Sequence, residues 1–141
     1  MLGCARAADA PAPAPLRVLL AGLAHGHAGG FLGQPEPAVV TPVGVWEPDA
    51  TFWAKYRTHV QLAQLTSYTD LPNPLAQSGP DAVWPFCDTR DHLPIVRAAA
   101  PRHLPVIVEK TLALFWPAAA AMAAPARRHG TLKRTNSETS W

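Results

Sequence analysis

At 141 residues, with 48% hydrophobic and 16% charged side chains, the chain has the composition of one folded domain rather than of a disordered segment. Its net charge of +2, from 12 Lys+Arg against 10 Asp+Glu, comes without a basic stripe interleaved with aromatics, which argues against a nucleic-acid partner. Two cysteines, Cys4 and Cys87, make neither a disulfide framework nor a metal-ligand spacing, and no apolar run reaches the length of a membrane span.

Residues 1–15, MLGCARAADAPAPAP, stand apart. Ala5-Arg6-Ala7 and Ala8-Asp9-Ala10 have the small-x-small form of a signal-peptidase site, but no basic and apolar stretch precedes them. Two readings stay open: an exported protein whose true start lies upstream, or a disordered Ala/Pro leader on a cytoplasmic one.

Residues 16–141 read as a single α/β domain. Leu16–Ala21 is a strand-length apolar run that stops at Gly22, and a helix can start at Gly26. Strand, glycine turn and helix open a dinucleotide-binding unit, in which glycine lets the backbone approach a pyrophosphate. The G-x-G-x-x-G fingerprint is incomplete, since Ala24 and His27 occupy two of its glycine positions. After a turn at Gln34–Pro37, Val39–Trp46 reads as a second strand with a start or bulge at Pro42. Glu47, 25 positions after Gly22, can bind the ribose hydroxyls of an adenosine and would repel a 2′-phosphate, favouring NAD over NADP. Asp49 can cap the next helix.

Ala50–Thr58 predicts a modest helix and Val60–Ser67 a poorly marked strand, and Tyr68–Leu71 leads into a short helical turn broken by Pro72 and Pro74 and stopped at Gly79-Pro80. Asp81–Phe86 predicts a fourth strand. Asp91–Ala100 predicts a helix with Leu93, Val96 and Ala100 on one face, and Leu104–Val108 a strand buried on both sides. In Pro117–Arg128, an alanine-rich helix, Pro125 should kink or shorten the end. Thr131–Thr135 can form a last strand. The alternation implies a doubly wound parallel sheet with helices on both faces. His25 and His27 lack a third ligand at a sensible spacing, so no metal is expected. Cys87 has no base placed beside it by the sequence and reads as a small buried hydrophobe.

Several of these segments, in order, resemble the N-terminal domain of the Gfo/Idh/MocA oxidoreductases, the glucose–fructose oxidoreductase and inositol dehydrogenase family. They are Gly22-Leu23-Ala24-His25-Gly26-His27, Val45-Trp46-Glu47-Pro48-Asp49, Tyr68-Thr69-Asp70-Leu71, Pro80-Asp81-Ala82-Val83, the helix after His92, and Val106-Ile107-Val108-Glu109-Lys110. The departures are Ala24 and His27 in the loop, Cys87-Asp88-Thr89 in a segment that lines the cofactor in the family, and Thr111 in place of an often cis proline after Lys110.

The resemblance implies a Rossmann-like fold and an NAD site, with NADP the lesser alternative. That site would be made by Gly22, Leu23, Ala24, His25, Gly26, His27, Glu47, Phe86, Cys87, His92, Glu109 and Lys110. It implies hydride transfer at a CH–OH carbon of a sugar or polyol, with Lys110 as the catalytic residue on the reacting oxygen and Glu109 holding the lysine and the nicotinamide ribose. The family's second domain, with its acid–base histidine, has no counterpart in these 141 residues. The expectation is therefore a cofactor half, inactive alone, from a full-length form open to homo-oligomerisation. The alternative is a non-catalytic nucleotide-binding module or degenerate remnant.

Overall fold

The computed structural model describes residues 13–33, 39–131 and 133–136, the last four as backbone. The leader up to residue 12, the 34–37 turn and Trp141 lie outside the described residues.

Six parallel strands make one sheet in the order β3-β2-β1-β4-β5-β6. They are β1 (Leu16–Ala21), β2 (Val40–Trp46), β3 (Ser67–Tyr68), β4 (Ala82–Pro85), β5 (Val106–Glu109) and β6 (Lys133–Asn136). The helices between them are α1 (His27–Leu32), α2 (Ala50–Tyr56), α3 (Pro72–Gln77), α4 (His92–Ala99) and α5 (Trp116–His129). β1 lies between β2 and β4, so Val18, Leu19, Leu20 and Ala21 are all fully buried. A strand covered on both faces needs an apolar run rather than an alternation. Leu19 and Ala21 join Ile95, Val96, Ala99, Val106, Val108 and Met122 on the face carrying α4 and α5. Val18 and Leu20 join Ala28, Leu32, Val45, Leu62 and Phe86 on the face carrying α1 and α2. This is the doubly wound parallel sheet that the alternation implied.

Pro42 marks an irregularity as expected. Val18 pairs with Pro42 and Leu19 with Gly44, so Val43 is left out of register. A proline without an N–H cannot continue the ladder, and one extra residue absorbs the break.

The structure corrects five expectations. Only Ser67 and Tyr68 of the third strand form. Residues 57–65 turn instead, with the amides of His59, Leu62, Ala63 and Leu65 bonded to carbonyls three or four residues back. Pro72 and Pro74 do not break α3; they begin it, in the first turn where an N–H has no intrahelical partner. On α4 the buried face is broader than expected: His92, Ile95 and Ala99 are buried beside Val96, Leu93 is half-buried, and Ala100 is buried in the 3₁₀ turn that follows. β5 is buried at Val106 and Val108 but only half-buried at Ile107, so one of its faces is less covered than expected. Finally, α5 runs through Pro125 to His129 without shortening, and closes on Gly130 in the left-handed region. Alanines around the proline supply the helix propensity that offsets one missing bond.

Candidate functional site

In a parallel sheet of this order, the chain reverses direction between β1 and β4, and their carboxyl ends open a crevice. The loop after β1 lies there. Gly22 has φ +88, and a Cβ on it would sit 2.6 Å from that of Cys87. Only glycine meets both the backbone demand and the close approach of the loop after β4. Its N–H donates to the Trp46 carbonyl (2.6 Å), tying the loop to the end of β2.

The next amide, of Leu23, donates to Glu47 Oε2 (2.6 Å), while that of Asp49 donates to Oε1 (2.8 Å). Glu47 is 4% exposed, and burial raises its pKa above the ordinary carboxylate value. Asp49 then caps α2 by accepting from the Thr51 amide (2.7 Å). Further along, the His25 amide donates to the Phe86 carbonyl (2.7 Å), and that of Ala28 to the His25 carbonyl (3.0 Å), which starts α1. The amides of Ala24 and Gly26 make no hydrogen bond within the described residues. Both residues are exposed, and a Cβ built on Gly26 meets nothing within 4 Å. Backbone left open in this way is what an anionic group requires for close approach.

A second buried carboxylate closes the other end. Glu109, the last residue of β5, is fully buried. Trp84 Nε1 donates to its Oε1 (3.0 Å), and His27 Nδ1 lies 2.8 Å from its Oε2. The His25 and His27 rings meet edge to face, 4.5 Å between centroids, and burial lowers the His25 pKa. Lys110 follows, exposed, and its peptide bond to Thr111 is cis. The separation of 82 positions between His27 and Glu109 hid this cluster from sequence spacing, as it hid the role of Trp84.

The remaining expected site residues divide. His92 is buried with Nδ1 at 3.0 Å from the Leu112 carbonyl, so it pins the start of α4 to the segment after β5; its Nε2 has no partner among the described residues. Cys87 is 6% exposed, and burial pushes its thiol up to about 12, which suits a small core residue and not a nucleophile. The Phe86 ring is 1% exposed and stacks on Trp84 and Phe31, while its backbone carbonyl accepts from the loop at His25. The exposed apolar surface of this end is Leu114, Phe115 and Trp116, 65%, 62% and 81% exposed.

Two adjoining clefts follow the loop. One, of about 160 Å³, is rimmed by Glu47, Asp49, Asp88 and Asp91. The other, of about 420 Å³, runs from Ala24 and His25 past Arg90 to Leu114. They share Ala24, Cys87 and Asp88.

No protein-family model and no curated protein matches the chain. Solved structures do. WlbA dehydrogenase from Chromobacterium violaceum, in complex with NADH and UDP-GlcNAcA, is 16% identical, with TM-score 0.77 over 89% of this chain and 36% of that one. The chain has the Rossmann-like fold of these dehydrogenases. The myo-inositol 2-dehydrogenase of Lactobacillus plantarum is 24% identical, with TM-score 0.69 over 86% of this chain and 36% of that one. The UDP-N-acetylglucosamine 3-dehydrogenase GnnA of Acidithiobacillus ferrooxidans is 21% identical, with TM-score 0.68 over 86% and 38%. This chain thus spans little more than a third of each. No helix among the described residues is long and apolar enough to cross a membrane.

Proposed function

We propose that this chain is the NAD-binding part of an oxidoreductase that acts on a CH–OH carbon of a sugar or polyol. The observation that carries the reading is the pairing of an open loop backbone at Ala24 and Gly26 with a buried carboxylate, Glu47, directly behind it at the end of β2.

The residues fit the group. Gly22 to His27 would hold the pyrophosphate, with the free amides of Ala24 and Gly26 as donors. Glu47 would face the adenosine ribose in the smaller cleft, where Asp49, Asp88 and Asp91 add negative charge against a 2′-phosphate. His92 and Glu109 would act from within, holding the segment after β5 and the loop in place. NAD, when bound, supplies the hydride acceptor. Lys110 is exposed at the end of β5, where its ammonium can donate to a substrate hydroxyl oxygen and stabilise charge developing there. The solved structures of similar fold support the same class of reaction.

One observation favours the second reading, a nucleotide-binding module without turnover. The Glu109 carboxylate already serves Trp84 and His27 inside the core, rather than Lys110 at the surface. Calorimetric titration of the full chain with NAD and NADP tests the binding. NAD should bind at least about tenfold more tightly, the result of roughly 1.4 kcal/mol of charge discrimination. Tighter NADP binding would overturn the assignment. Following NADH absorbance with a panel of polyols and sugars, and repeating with Lys110→Ala, then separates an oxidoreductase from a module.

A further inference from the structure

Three side chains far apart in sequence meet where the loop touches β5. His25 and His27 flank the start of α1, and Glu109 ends β5. Each offers one ligand atom, and the three atoms lie within 4.8 Å of one another. We propose that His25, His27 and Glu109 bind a divalent transition-metal ion of the zinc class, with a fourth position left for water.

The donor set fixes the class of ion. Two imidazoles and one carboxylate suit zinc and its first-row neighbours, whereas magnesium and calcium prefer all-oxygen shells. Three protein ligands with an open fourth position is an established zinc arrangement. Ligand atoms around tetrahedral zinc lie about 3.3 Å apart, given bonds of about 2.0 Å. Closing the site from 4.8 Å therefore takes small side-chain rotations. They fall on the two half-exposed histidines of the loop, while Glu109 is held from behind by the Trp84 N–H. A carboxylate fixed in this way is the outer-shell support that metal ligands commonly have. The His27 side chain is 28% exposed, which provides an entry path.

The other histidine pair is poorer. The His103 and His129 rings lie 6.0 Å apart, His103 Nδ1 is engaged with the His129 carbonyl, and no carboxylate joins them among the described residues. An ion at His25, His27 and Glu109 would fasten the loop to β5 beside Lys110. The site shares His25 and His27 with the loop proposed to hold the pyrophosphate, so zinc and NAD are titrated separately on the full chain.

The test uses the full chain after removal of metal with EDTA. Zinc is titrated against a chromophoric chelator, and cobalt(II) is added in parallel for its visible absorption. One equivalent should bind, with cobalt bands typical of four-coordinate imidazole and carboxylate ligation. His25→Ala and His27→Ala should each weaken binding about tenfold or more and abolish the cobalt bands, while His103→Ala changes neither. Thermal melts of the metal-free variants check that they fold; if His27→Ala does not, His25→Ala, at a half-exposed position, decides. Absence of one-equivalent binding, binding unchanged in His25→Ala, or binding lost in His103→Ala instead would overturn the site.

Discussion

Two buried glutamates grip the same loop from opposite ends, and they do so differently. Glu47, at the end of β2, accepts only backbone amides, from Leu23 and Asp49. Glu109, at the end of β5, is held by side chains, Trp84 and His27. Backbone partners fix the position of a carboxylate whatever the neighbouring residue types, so Glu47 sets the course of the loop. Side-chain partners make Glu109 depend on residue identity, and they place two imidazoles on it. The first arrangement shapes a cleft; the second concentrates titratable and ligand atoms at one point.

Gly22→Ala disturbs both ends at once, because the substitution brings φ strain and a collision with Cys87. It should cost about 4 kcal/mol, from strain and overpacking together, read as a fall in the denaturation midpoint. A loss under about 1 kcal/mol would mean that the loop is free to move away from Cys87. Glu109→Ala should cost about 3 kcal/mol, since it strands a part-buried indole N–H and removes a partner of a part-buried imidazole. Trp84→Phe removes one of those bonds and should cost less, about 1 kcal/mol.

Glu47→Gln should cost about 1 kcal/mol at neutral pH, because an amide can accept at only one of its two terminal atoms. The pH dependence carries the sharper signal. Burial raises the folded-state pKa of Glu47 above its usual 4.5, so the folded state binds the proton more strongly. That contribution is present below the unfolded pKa and is lost as pH rises through the folded one. Wild type minus Glu47→Gln should therefore decline as pH rises from about 4.5 upward. Asp49 and Asp88, both exposed and held low by hydrogen bonds to Thr51 and Arg90, work in the opposite sense as pH falls, and the difference between the two proteins removes them. A flat difference curve would mean that Glu47 titrates normally. The smallest effect is expected of Phe115→Ser, within about 0.5 kcal/mol of wild type but with less self-association by light scattering.

The parallel sheet was legible in the sequence because Val18–Ala21 and Val106–Val108 are apolar without alternation and are separated by helical periods. The third strand was not, because two residues at a sheet edge carry no period and local turns claim the amides before them. Pro72 and Pro74 misled because the cost of a proline depends on whether its N–H was needed, which the helix boundary decides, whereas Pro125 gives up an interior bond that its alanine neighbours offset. Within the site, Gly22 and Glu47 showed in sequence as a strand end and a following acid. The contact of His27 with Glu109 did not, since folding alone brings residues 27 and 109 together. Phe86 lies one residue beyond β4, where the turn sends its ring into the aromatic cluster with Phe31 and Trp84.

The central claim is that the loop between β1 and α1 receives the NAD pyrophosphate on its two free amides. Amide-resolved NMR of the full chain during an NAD titration tests it most directly. The Ala24 and Gly26 amide resonances should move most, with smaller shifts at Leu23 and Asp49 through Glu47, and none at Gly79 or Gly130. Shifts confined to the basic surface around Arg97, Arg128 and His129, with the loop resonances unmoved, would contradict it.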